Sequence, residues 1–185
     1  MKTSSLIAGL VCVAGLVVAG GFALSGRLPV DTPLAKLSPD AVEAKAFLTA
    51  LYDHYTVDSD WSPMGVRAAD WFAPSMVALM QEDARLNEGY TGAIEADPIC
   101  DCQDYGKLTA DIKVINLTQT SAQARVVLSD SGVTPPSTLA LVYDLVKVKG
   151  GWRIHDITGS RGESLRHRLI KSNADMKAQD AQSSL

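Results

Sequence analysis

Histidine, cysteine, tryptophan and phenylalanine each occur only three times in 185 residues, and no basic run is present anywhere. A net charge of -4 without a cationic patch argues against phosphate-backbone binding, so nucleic acid is not an expected partner. His54, His155 and His167 lie far apart, which weakens a histidine-rich metal site that folding would have to assemble. No nucleophile motif, phosphate-binding glycine loop or specific metal spacing occurs either. What remains is a chain of one-domain length with 46% hydrophobic residues, a value raised by its N-terminus.

That N-terminus has the pattern of an export signal. Met1-Lys2 precedes an uncharged run from Thr3 to Gly26, almost wholly apolar between Leu6 and Leu24. Small residues permit cleavage after Ala23 or Ser25, and Gly9, Gly15, Gly20 and Gly21 favour it over an uncleaved anchor. Gly9-Leu10-Val11 before Cys12 lacks the Leu-small-small pattern of a lipoprotein. The chain is therefore expected in the periplasm or cell envelope, touching membrane only through this segment if it stays uncleaved. Removing it takes Cys12 away and leaves Cys100 and Cys102, for which an oxidising compartment permits a disulfide. The expected organisation is a signal or anchor over 1–25, a linker over 26–37, one domain over 38–172 and a polar, disordered tail over 173–185.

Within the domain, Ser38-Pro39-Asp40 reads as a helix start, with Phe47, Leu48, Leu51 and Tyr55 forming an apolar stripe. A second helix is expected from Pro74-Ser75 to about Leu86, after Trp71 and Phe72 as core plugs. Alternation then marks strands through Leu108–Ile115, Ala122–Leu128, Leu139–Val148 and Trp152–His155, with Gly150-Gly151 as a hairpin signal. The third strand is apolar on both faces for much of its length, as a covered central strand would be. The fold class is α+β: N-terminal helices packed on a curved four-strand antiparallel sheet, then a short C-terminal helix near Leu165–Ile170.

The densest chemistry lies at the helix-to-strand junction, Ala96-Asp97-Pro98-Ile99-Cys100-Asp101-Cys102-Gln103-Asp104. Clustered carboxylates at Asp97, Asp101 and Asp104 can hold a hard cation, but their spacing lacks the alternate-position ligands of a calcium loop, so no metal is expected. Cys100 and Cys102 would close a very small ring and lack the two-residue spacer of thioredoxin-like sites. The favoured reading is structural: Asp97, Gln103 and Asp104 hydrogen-bond a long loop against the sheet.

Three blocks together resemble an exported bacterial family known as domain of unknown function 3828. They are Ala50-Leu51-Tyr52-Asp53-His54-Tyr55, Asp97-Pro98-Ile99-Cys100-Asp101-Cys102-Gln103-Asp104 and Trp152-Arg153-Ile154-His155-Asp156-Ile157, with Ser164-Leu165-Arg166 fitting as well. His155 stands where that pattern commonly has an acidic residue. The ending also resembles the nuclear-transport-factor-2-like (cystatin-like) superfamily, in which a cone of curved sheet and helices encloses a pocket. The resemblance implies no established reaction and no cofactor, because superfamily members include enzymes, binding modules and immunity-type proteins.

The leading expectation is a non-catalytic envelope domain that binds a small molecule or an envelope protein, using Asp97, Asp101, Gln103, Asp104 and Trp152. One alternative is a cone-fold enzyme with Asp97, Asp104 or Asp156 as base and His155 as partner, although strand alternation puts His155 and Asp156 on opposite faces. The other is a periplasmic immunity protein that inserts its acidic, exposed 97–104 loop into a basic toxin site.

Overall fold

The computed structural model of the protein describes residues 37–56, 61–88 and 90–183. The expected export segment and all of the linker except Leu37 lie outside these residues.

Helix α1, Pro39–Tyr52, begins as its sequence requires: Ser38 is extended and its Oγ accepts the Ala41 N–H at 3.3 Å. Ala41, Ala44, Leu48 and Leu51 make its buried stripe. A short helix α2, Ala68–Trp71, ends where Phe72 turns extended and bridges Ile154. Proline then opens α3, Pro74–Leu86, which buries Met76, Met80, Asp83 and Leu86.

Four strands follow: β1 Leu108–Leu117, β2 Ser121–Asp130, β3 Ser137–Val148 and β4 Gly151–Thr158. They form an antiparallel meander in chain order, so the α+β arrangement of helices on a four-strand sheet holds. Inward positions alternate along β2 as Ala122, Ala124, Val126 and Leu128, and Tyr143 of β3 lies between Ala124 and Ile157 in register. These side chains meet α1 and α3 in one core. All the described elements belong to one compact unit, Lys36–Leu185.

Four details differ from what alternation and composition predict. Gly151 already pairs with Val148, so the hairpin loop is Lys149-Gly150. The outer face of β3 (Val142, Asp144, Val146) is half-buried, without the full cover its apolar sequence suggested. A bulge places Asp156 opposite Asp144 and Ile154 opposite Leu145, leaving His155 as an extra residue. Strict alternation therefore fails at His155-Asp156, and Ile154 and Ile157 both reach the core.

The fourth difference is at the C-terminus. The segment from residue 173, expected to be a disordered tail, continues helix α4, Leu165–Ser183. Asn173 is buried and its Nδ2 donates to Leu79 O at 3.1 Å, while Lys177 pairs with Glu82 at 2.8 Å. Polar contacts with α3 anchor this stretch, which is why an apolar pattern did not reveal it.

Candidate functional site

The junction between α3 and β1 is pinned into the core from several directions. Asp97 and Cys102 pair across a tight loop (Asp97 N to Cys102 O, 2.9 Å) that encloses a Cys100–Cys102 disulfide. Asp97 Oδ1 accepts the Ile99 N–H at 2.8 Å, a local Asx turn, and Oδ2 accepts the Tyr55 hydroxyl at 2.6 Å. The Ile99 carbonyl receives the hydroxyls of Tyr52 at 2.8 Å and Tyr143 at 3.0 Å, which are themselves 2.6 Å apart. Ile99 is 0% exposed. Three tyrosines from α1, the turn after it and β3 thus supply the donors that a buried loop needs.

The electrostatics follow from that burial. The Asp97 carboxyl is pushed above the usual carboxylate range by desolvation, which outweighs the lowering by its bonds from Tyr55 and Ile99. Burial first, then the Asp97 charge, pushes the Tyr55 phenol up. Tyr143 is raised by burial, then by Tyr52. All three phenols, Tyr52 included, are therefore neutral donors at any physiological pH.

The other sequence candidates serve elsewhere. Asp101 Oδ2 accepts from Ser160 N at 3.1 Å and Ser160 Oγ at 2.6 Å. Asp156 takes Ile157 N, Arg166 N and Ser164 Oγ, so it ties β4 to the first turn of α4. His155 lines a separate cavity of about 290 Å³ with Gln123 and Asp144. Trp152, expected to face a partner, is 3% exposed in the core with Lys147 Nζ 5.4 Å from its ring centroid. Gln103 and Asp104 alone in the junction are exposed, so the projecting acidic loop is corrected to a largely inserted one. Asp97, Asp104, His155 and Asp156 do not converge on one cavity. Among the described residues no group of three or more His, Cys, Asp and Glu could hold a metal ion.

Two adjoining cavities do gather where the junction meets α3. The first, about 260 Å³, is walled by Met64, Val77, Met80, Tyr90 and Ile94. Its far side is tight: a Cβ at Gly92 would run into the Asp83 carboxylate, which accepts the Ala93 N–H at 3.0 Å. The second, about 370 Å³ and more open, carries Glu95, Asp97 and Gln103. Met64 and Ile94 line both, so an apolar trough leads into an acidic mouth. Beside this mouth, Tyr55 lies within an aromatic cluster in which His54 stacks on Trp61 at 4.2 Å and Tyr105 stands 5.3 Å from Tyr55. Asp97 and Gln103 were legible as candidates. Met64, Met80, Tyr90 and Ile94 were not, since single apolar residues in separate segments carry no local signal.

No protein-family model matches this chain, and no curated protein matches it. Among solved structures, a protein of unknown function from Bacteroides thetaiotaomicron aligns at 23% identity and a TM-score of 0.43, over 64% of this chain and 90% of that one. A phospholipid-binding protein from Ralstonia solanacearum, solved in complex with a phospholipid, aligns at 18% identity and a TM-score of 0.39, over 78% of this chain and 79% of that one. Likenesses of this extent assign no family and no ligand.

Proposed function

We propose that this is an exported cell-envelope protein that binds a small molecule, without catalysis, in the trough between α3 and residues 90–94. The observation that carries the reading is the apolar cavity of about 260 Å³ opening into a polar mouth. Ligand sites combine an apolar wall with a few convergent polar groups, and this is the one place among the described cavities where both occur together with a desolvated carboxylate, Asp97. The signal-like N-terminus and the resemblance to domain of unknown function 3828 support the envelope location.

An enzymatic role has less support. Asp97 keeps the perturbed carboxyl that acid-base chemistry needs, but His155 lines a different cavity and Asp156 is engaged by three donors. The immunity role loses its projecting loop.

The test uses thermal melting against a panel of small amphiphiles and metabolites, with Ala84→Trp as the blocking variant. Ala84 is an exposed residue of α3 on the cavity wall, so a larger side chain there occupies the trough without entering the core. Ligands that raise the melting temperature of the wild type, and raise it markedly less in Ala84→Trp, are expected. Equal shifts in both proteins, or no shift across the panel, overturn the proposal.

A further inference from the structure

We propose that the ligand is an amphipathic cation, its apolar chain lying along Val77, Met80 and Ile94 and its ammonium group facing Asp97 and Glu95. This rests on the ligand-binding reading above and assigns the chemistry of the same site.

The inference comes from the charges that line the two cavities. Asp83, Glu95 and Asp97 are all present, and no Lys or Arg lines either cavity. Asp83 is committed to the fold by the Ala93 N–H and the Ser172 hydroxyl. Glu95 is exposed and makes no hydrogen bond or ion pair among the described residues. Asp97 lines the mouth, and it uses one lone pair of each oxygen for Ile99 and Tyr55, which leaves acceptor capacity on both. An anionic headgroup would meet two carboxylates here with no counter-charge. A cationic one meets complementary charge at the point where the apolar wall ends.

Arginines do occur nearby: Arg161 and Arg168 line a further open recess that shares Glu95 with the mouth. Arg168 faces Glu163 at 3.9 Å. That recess shares no apolar wall with the trough, so it offers an anionic amphiphile a headgroup contact without a place for its chain.

The experiment compares three probes of equal chain length, below their micelle concentrations, by titration calorimetry on the full chain: dodecyltrimethylammonium, dodecyl maltoside and dodecyl sulfate. Circular dichroism confirms that the protein stays folded in each. The cation is expected to bind at least roughly tenfold more tightly than the maltoside, the scale of a hydrogen-bonded or partly buried charge contact. Asp97→Asn and the exposed Glu95→Gln each narrow that preference, and the double variant brings it near unity. Equal affinity for ammonium and maltoside overturns the charge assignment while leaving the trough as a ligand site. Tightest binding of the sulfate also overturns it and moves the headgroup to the arginine recess. Failure of all three to bind removes this inference and the binding site together.

Discussion

Asp97 and Asp130 are the same residue in two loops built in opposite ways. Asp130 ends β2 and accepts three backbone N–H groups, from Gly106 at 2.9 Å, Lys107 at 3.0 Å and Gly132 at 2.8 Å. Those amides hold its carboxyl below the usual range despite the opposing desolvation. Asp97 has one amide and one phenol, and its desolvation wins. The first loop is closed on itself, with Gly106 and Gly132 backbones in contact. In the second, the aspartate lines a cavity and its carboxyl has fewer donors. Saturated donors make a fastener; an unsaturated edge beside an apolar wall makes a place to bind.

The largest test of that contrast is deletion of the fastening beneath Asp97. Tyr143 is 0% exposed and both fills the core and bonds the Ile99 carbonyl. Tyr143→Ala is expected to lower unfolding stability by about 3–5 kcal/mol, measured by denaturant melts. Ile94→Ala, which removes a half-buried trough wall, is expected to lose about 1 kcal/mol or less while weakening ligand binding. If the two losses are alike, the trough belongs to the core and the contrast fails.

Closure of the Asp130 loop predicts a smaller effect. A Cβ on Gly132 would stand 2.6 Å from both Gly106 Cα and Lys107 N, so backbone must move. Gly132→Ala is expected to destabilise by about 1–3 kcal/mol with no change in ligand affinity. Smaller again is Tyr143→Phe, which keeps the ring and removes one of two hydroxyls on the Ile99 carbonyl. A loss of about 1 kcal/mol is expected, because Tyr52 continues to satisfy that carbonyl.

These elements were unequally legible in the chain. Ser38-Pro39-Asp40 and Pro74 mark their helices by local chemistry alone, and strand alternation gives the meander because the side-chain period is fixed by the pleat. The bulge at His155 escapes such reasoning: an extra residue leaves the composition unchanged and shows itself only in register. Residues 173–183 were hidden for a related reason, since their attachment to α3 is polar. The acidic junction shows the limit of local reading: a structural role could be read from its side chains, but its partners could not. Ser160, Tyr55 and the amide of Ile99 take up oxygens of Asp101 and Asp97, and no local pattern announces partners as distant as Ser160 and Tyr55. The trough is assembled from residues 64–68, 77–84 and 90–94, three segments that only packing brings together.

The finest test sets the two aspartates against each other in pH. For Asp130 the folded pKa lies below the ordinary value of about 3.9, so its contribution is present above that value and is lost as pH falls through the folded pKa. The stability gap between wild type and Asp130→Asn should therefore shrink on acidification below about pH 4. For Asp97 the folded pKa lies above the ordinary value. Its favourable term is complete below about pH 4 and is lost as pH rises to the folded pKa, because the buried carboxyl must then ionise. Relative to Asp97→Asn, the wild type should thus lose stability with rising pH and level off once ionisation is complete. Urea melts of the three proteins from pH 3 upward read both slopes, with the unchanged groups cancelling in each difference. Opposite signs support the division between fastener and binding edge. A slope for Asp97 with the sign of Asp130 would mean that its two hydrogen bonds outweigh burial, and the mouth of the trough would then be another closed loop.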